Sequence, residues 1–137
     1  PDAFAHNIET APRLYRTVRP GSVYSHSLSL LRQAKEMGAP LTKSGFMLGV
    51  GETRDEIREV LSDLRAARLD IVTIGQYLQP STGHLPVCRY VPPQEFEEIR
   101  SEAMPLGFRH VEAGPLVRSS YHASRHVQRQ IDSTARP

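Results

Sequence analysis

The chain has 137 residues, a length that allows one domain or a piece of a larger one. With 39% hydrophobic and 23% charged residues, and no apolar run near the roughly 20 residues a bilayer core demands, the composition is that of a globular protein without a membrane span. The net charge of +2 is spread over cations interleaved with acids, which gives no basic stripe for nucleic acid, and the single cysteine, Cys88, excludes an internal disulfide framework and a cysteine-only metal site and fits a reducing compartment.

Pro1 to Phe4 carry neither a basic n-region nor an apolar h-region, so no signal peptide is expected, and the absence of an initiator Met allows for sequence upstream. Ala3 to Ile8 reads as a short strand, followed by an irregular, Arg-rich stretch with Pro12, Pro20 and Gly21. Ser25 to Met37 reads as a helix with Leu28, Leu31 and Ala34 on one face and Gly38 at the position that ends helices. Leu41 to Val50 is the second strand, closing on a turn at Gly49, Gly51 and Glu52.

The best-signalled element comes next. Thr53-Arg54-Asp55-Glu56 is a capping box, in which hydroxyl and carboxylate satisfy opposite backbone N–H groups, and Ile57, Val60, Leu61 and Leu64 follow at helical spacing. Asp70 to Tyr77 is a third strand whose near-continuous apolar stretch at Ile71, Val72 and Ile74 predicts cover on both faces. A helix from about Pro93 through Phe96 and Ile99 to Ala103, ended or kinked by Pro105, precedes a last strand from Arg109 to Ala113. The tail after Val127 is polar and predicts disorder.

Strands alternating with helices make an α/β protein with a parallel sheet and right-handed crossovers, either doubly wound or an arc of a barrel. Both arrangements place a site at the carboxyl ends of the strands. Polar residues collect at those ends: His6-Asn7-Ile8-Glu9-Thr10, Gly49 to Glu52, Gln76 with Gln79, and Gly114 with Arg118. Any one of these is an ordinary polar loop, but four in register argue for a site.

Taken singly, each motif keeps two readings. Gly49-Val50-Gly51-Glu52 brings backbone close to a ligand at a helix N-terminus, or is a bare tight turn; it is neither GxGxxG nor a Walker loop. Asn7 and Glu9 share one side of an extended segment and suit the paired hydroxyls of a ribose, or form an Asx turn with a solvated Glu. Arg16 and Arg19 bind a carboxylate or a cluster-linked anion, or are solvated. His122 and His126 share a helix face at spacing four but lack a third zinc ligand, and Cys88 has no companion. Arg118-Ser119-Ser120-Tyr121 concentrates hydroxyls beside a cation, and by spacing alone is a helix N-cap.

Read together, six words resemble one family in order and gap. They are His6-Asn7-Ile8-Glu9-Thr10, Tyr15 to Gly21 (YRTVRPG), Lys43 to Gly49 (KSGFMLG), Gly51-Glu52-Thr53, Gly75 to Pro80 (GQYLQP), and Gly114 to Ala123 (GPLVRSSYHA). From residue 1 to about 126 the chain resembles the C-terminal half of a lipoyl synthase, a member of the radical S-adenosylmethionine superfamily. That likeness implies roughly the second half of a (β/α)6 barrel over residues 1–113, a cluster-ligand motif and extension over 114–126, and the polar tail over 127–137. It implies a parent enzyme that inserts sulfur at C6 and C8 of an octanoyl group on a carrier-protein lysine, by 5′-deoxyadenosyl radical hydrogen abstraction.

The resemblance also implies roles. Asn7 and Glu9 match the strand-end motif at the ribose and methionine region of S-adenosylmethionine, with Arg19 among the cofactor-binding residues. Gly49, Gly51 and Glu52 match the later binding motif, and Gln76, Tyr77 and Leu78 the last strand motif near the adenine. Ser119 or Ser120 would ligate an auxiliary iron–sulfur cluster, supported by Arg118 and Tyr121; serine oxygen is a harder, more labile iron ligand than thiolate. Two 4Fe-4S clusters belong to the parent enzyme, yet the CxxxCxxC triad and the second cysteine triad they require are absent here. Arg68, where a helix-ending Gly is usual, and Met104-Pro105 are smaller departures.

The expected partners are an octanoylated lipoyl carrier domain or the glycine cleavage H protein, and the missing N-terminal half of the barrel. The expected compartment is the cytoplasm, or an organellar matrix in a eukaryote. The chain alone is expected to be inactive and to leave a sheet edge and a core face uncovered. The rival readings are a non-catalytic α/β nucleotide-binding module and another radical enzyme sharing the barrel.

Overall fold

A computed structural model describes residues 3–117 of the chain. Four strands alternate with helices: β1 (Ala3–Ala5), a 3-10 turn (Pro12–Leu14) running into α1 (Tyr15–Val18), α2 (Tyr24–Glu36), β2 (Leu41–Leu48), α3 (Arg54–Ala66), β3 (Ile71–Gln76), α4 (Pro93–Ala103), a 3-10 turn (Met104–Leu106) and β4 (His110–Ala113). All pairings are parallel and the strand order is β1-β2-β3-β4. This order never reverses, so the described strands have no doubly wound switch point and form an arc, the geometry of a partial barrel.

The two helix stops use the same device on different residues. At the end of α2, the N–H of Ala39 donates to Ala34 and that of Gly38 to Lys35, with Gly38 at φ +96°. At the end of α3, Leu69 donates to Leu64 and Arg68 to Arg65, and Arg68 takes φ 67° without being glycine. The capping box of α3 is fully formed: Thr53 Oγ1 accepts from the N–H of Glu56 at 3.1 Å while Glu56 Oε1 accepts from that of Thr53 at 2.9 Å.

One face of the sheet is closed by the helices. Phe46, Leu48, Val72, Ile74 and Val111 from the strands pack in one buried cluster with Leu31 of α2, Ile57, Val60, Leu61 and Leu64 of α3, and Phe96, Ile99 and Ala103 of α4. Burying such side chains contributes about 1.5–3 kcal/mol each before chain entropy is counted. At the amino ends of the strands, Asp70 Oδ2 accepts from Lys35 Nζ and from the N–H of Thr42, both at 2.8 Å.

Every residue of β3 is buried, as expected of a strand covered on both faces, but the face opposite the helices is polar in part. Alternation and register place Lys43, Ile71 and His110 in one row there and Gly45, Thr73 and Glu112 in the next. Lys43 and Thr73 are 3% and 1% exposed, and the Thr73 hydroxyl has no hydrogen-bond partner among the described residues. Burial pulls the Lys43 ammonium below its ordinary range, and Glu112 opposes that shift.

Two further stretches differ from expectation. β1 ends at Ala5 rather than Ile8; beyond it the N–H groups of His6 and Ile8 still donate to the Lys43 and Gly45 carbonyls, and Glu9 bridges to Phe46. The stretch expected to be irregular after it contains the short helical pieces Pro12–Leu14 and Tyr15–Val18, which are too brief to show a period.

Candidate functional site

The carboxyl ends of the strands gather the candidate residues into two groups. The first is built on the loop after β1. Asn7 Oδ1 accepts from the N–H of Gly45 at 3.1 Å, and the Asn7 carbonyl accepts from Arg19 at 2.9 Å. Glu9 lies at φ 73°, the left-handed region that a residue with a Cβ rarely adopts. Its N–H donates to the Gly45 carbonyl at 3.0 Å and its carbonyl accepts from Met47 at 2.9 Å, so β2 holds it on both sides. Burial raises the Glu9 carboxyl above its usual range, against the pull of the Arg19 guanidinium and the Asn7 side chain. Burial, aided by Arg19, keeps the nearby His6 imidazole below its ordinary value, and its Nε2 meets Ser27 Oγ at 3.1 Å.

The second group sits where β2 and β3 stop. Glu52 turns its carboxylate back into its own turn and accepts from Gly49 at 3.0 and 3.1 Å and from Val50 at 3.1 Å. Gly49, at φ +97°, cannot carry a side chain: a Cβ would stand 2.4 Å from the Arg89 carbonyl and 2.5 Å from Gln76 Nε2. Gln76 is 6% exposed and spends its whole amide on the chain, donating to Tyr77 and Arg89 and accepting from Val91. The Tyr77 hydroxyl donates to Leu85 at 2.7 Å, while Leu78 is 46% exposed.

Arg13 ties the two groups together, an anchor that spacing did not single out. It forks onto Glu56 at 2.9 and 3.0 Å and donates to the Gly51 carbonyl at 2.7 Å, so the 3-10 turn is clamped to the start of α3. The guanidinium and the Thr53 N–H hold the Glu56 carboxyl down to about 2. Beside β3, the Val117 carbonyl lies over Gly75, where a Cβ would be 2.2 Å away. Arg118, Ser119, Ser120 and Tyr121 lie outside the described residues.

The two cofactor types implied by the resemblance fare differently. A half-buried carboxylate at Glu9 beside the Arg19 cation and the Asn7 amide offers acceptor and donor groups for the hydroxyls and charged ends of a nucleoside ligand, so this group fits S-adenosylmethionine. The described residues do not by themselves hold an iron–sulfur cluster: among them no three His, Cys, Asp or Glu side chains come together as a metal site, the whole chain has one cysteine, and Ser119 and Ser120 lie outside them. Among the described residues no helix is long and apolar enough to cross a membrane.

A sequentially ordered parallel sheet, helices on one face, and polar loops at its carboxyl ends define an α/β protein of the partial-barrel class. Comparison of sequences narrows the class. The chain is 60% identical over 131 residues to a lipoyl synthase of Tolumonas auensis, a match covering 95% of this chain and 41% of that one. It is 62% identical over 124 residues to a lipoyl synthase of Vibrio cholerae (90% and 39%), and 58% identical over 134 residues to one of Chlorobium limicola (94% and 46%). No protein-family model matches. The chain is therefore a relative of the lipoyl synthases, aligned with their C-terminal part, and it spans about two fifths of the length of the relatives it matches.

Proposed function

We propose that this chain supplies the C-terminal part of a lipoyl synthase, which inserts two sulfur atoms at C6 and C8 of an octanoyl group on a carrier-protein lysine. The observation that carries the reading is identity near 60% across nine tenths of the chain to proteins named lipoyl synthase. S-adenosylmethionine, when bound, supplies the radical chemistry. Asn7, Glu9 and Arg19 bind its polar parts, the Gly49–Glu52 turn and Gln76–Leu78 line it through backbone, and the Gly49 and Gln76 contacts described above keep those backbones in place. In this reading residues 1–113 are the barrel half, 114–126 carry the auxiliary-cluster ligand at Ser119 or Ser120 with Arg118 and Tyr121 in support, and 127–137 form a tail.

The partners in this reading are an octanoylated lipoyl carrier domain or glycine cleavage H protein, together with an N-terminal half that carries the cluster cysteines. The compartment is reducing, bacterial cytoplasm or organellar matrix. The test joins the N-terminal part of the Vibrio cholerae relative to this chain and expresses the product in a bacterium lacking lipoyl synthase. Growth without added lipoate is expected, with loss on replacing both Ser119 and Ser120 by alanine. The 137-residue chain alone, given iron, sulfide, reductant and S-adenosylmethionine, is expected to form no 5′-deoxyadenosine. Failure of the joined protein under conditions where the complete Vibrio cholerae protein supports growth overturns the proposal.

A further inference from the structure

Glu9 occupies a backbone conformation that costs on the order of 1–2 kcal/mol for a residue with a side chain, and such outliers persist only where their surroundings over-determine them. Two side chains from the next helical piece supply part of that constraint. Arg19 donates to the carbonyl of Asn7. The hydroxyl of Tyr15, a residue 5% exposed, donates to the carbonyl of Ile8. These carbonyls precede Glu9 by two residues and by one, so each bond fixes a peptide plane leading into the strained residue. On the far side of the same segment, the Ile8 N–H donates to Ser44 Oγ at 3.0 Å and the Thr10 N–H returns to the Ile8 carbonyl at 2.9 Å.

Tyr15 is itself held from outside the loop. Its ring meets that of Tyr24 edge to face, with centroids 5.6 Å apart and planes at 89°, and the Tyr24 hydroxyl donates to Asp63 Oδ2 of α3 at 2.8 Å. An edge-to-face pair contributes about 0.5–1.5 kcal/mol beyond its buried area. The line Ile8, Tyr15, Tyr24, Asp63 thus runs from the first carboxyl-end loop through α2 to the helix that follows the second, and each link is a directional contact.

We propose that Tyr15 is a positioning residue for Glu9: its hydrogen bond to Ile8 holds the Glu9 carboxylate in the left-handed geometry that presents it to the ligand, with Tyr24 and Asp63 fixing the Tyr15 ring. This rests on the nucleoside-binding reading of Asn7 and Glu9 given above. Tyr15 makes no ligand contact in this account and acts only through the loop.

The experiment uses the joined protein described above and its affinity for S-adenosylhomocysteine, a non-reacting analogue, in a double-mutant cycle. Tyr15→Phe removes the hydroxyl and keeps the ring; affinity is expected to fall roughly three- to tenfold, the range of one hydrogen bond. In a Glu9→Gly background, where a positive φ is unstrained and the carboxylate is gone, the same substitution is expected to change affinity less than twofold. Equal losses in both backgrounds would overturn the proposal, because a merely structural tyrosine acts whether or not Glu9 is present. A second measurement is independent of ligand. Amide exchange at Gly45 and Met47, whose N–H groups are bonded to Asn7 and Glu9, is expected to quicken in Tyr15→Phe, and unchanged exchange there counts against the positioning role. If the unsubstituted joined protein takes up no analogue, the nucleoside-binding reading fails and amide exchange alone decides the role of Tyr15.

Discussion

The side-chain nitrogen of Gln76 donates to the carbonyl of Arg89 at 3.0 Å, and the Gln76 oxygen takes the N–H of Val91 at 2.8 Å. The end of β3 is thereby stapled to the chain just before α4, across a long loop. Gln76→Leu keeps the volume but leaves buried Val91 without an acceptor, a loss of about 1–3 kcal/mol. Denaturant unfolding is expected to show that loss, and limited proteolysis to cut faster between 78 and 90. A side chain engaged only by ligand would leave both measurements unchanged.

The same test separates roles at Glu52. Its carboxylate caps the N–H groups of Gly49 and Val50, three bonds within one turn. Glu52→Ala is expected to lower stability by about 1–3 kcal/mol, since charge-assisted bonds lie at the upper end of the hydrogen-bond range. Glu52→Gln keeps one acceptor oxygen and is expected to recover part of it. An alanine variant as stable as the original, read by thermal unfolding, would show that the turn closes without this carboxylate.

How much of this was legible in the sequence follows from the range of each interaction. The start and the buried face of helix α3 were legible because their signals, the Thr53–Glu56 box and the Ile57-Val60-Leu61-Leu64 stripe, are local. The strand alternation and the gathering of Asn7, Glu9, Gly49 and Gln76 at one end followed from topology. What was not legible is the employment of those side chains. Gln76 finds its partners at 89 and 91, and Asn7 finds its partner at 45, distances in sequence over which no period or spacing speaks. The polar second face was hidden because Ile71, Val72 and Ile74 read as a continuous apolar run, although Thr73 alternates out of it beside Lys43 and Glu112. The helical pieces at Pro12–Val18 are likewise shorter than any pattern that would reveal them.

Arg68 stands in the left-handed position that closes α3, at φ 67°, where Gly38 serves the same purpose after α2. The bonds from Leu69 to Leu64 and from Arg68 to Arg65 show that the stop is complete, so the arginine side chain adds strain without adding a bond to the motif. Arg68→Gly is expected to stabilise the protein by about 1 kcal/mol, the cost of left-handed backbone for a residue with a Cβ less the extra entropy glycine loses on folding. Thermal or denaturant unfolding checks it, and a drop in stability would show that the Arg68 side chain has a compensating contact.

Glu9 sets the pH behaviour of the first loop. Burial raises its folded-state carboxyl above the ordinary value of 4.5, outweighing Arg19 and Asn7. A raised acid binds its proton more tightly in the folded than in the unfolded chain, so its contribution favours folding below the unfolded value and is lost as pH climbs through the folded one. Glu9→Gln keeps the shape without the ionisation. The variant is therefore expected to gain stability relative to the original as pH rises from 4.5 through the raised value, and to show no such trend below it. Ligand binding should run the other way. If the ionised Glu9 oxygen accepts hydroxyls of the nucleoside, affinity for S-adenosylhomocysteine falls as the pH drops through the same window in the joined protein. In the Gln variant it is expected to be weaker and flat there. Parallel pH profiles for the two proteins would show that the carboxylate takes no part in binding, whatever its effect on stability.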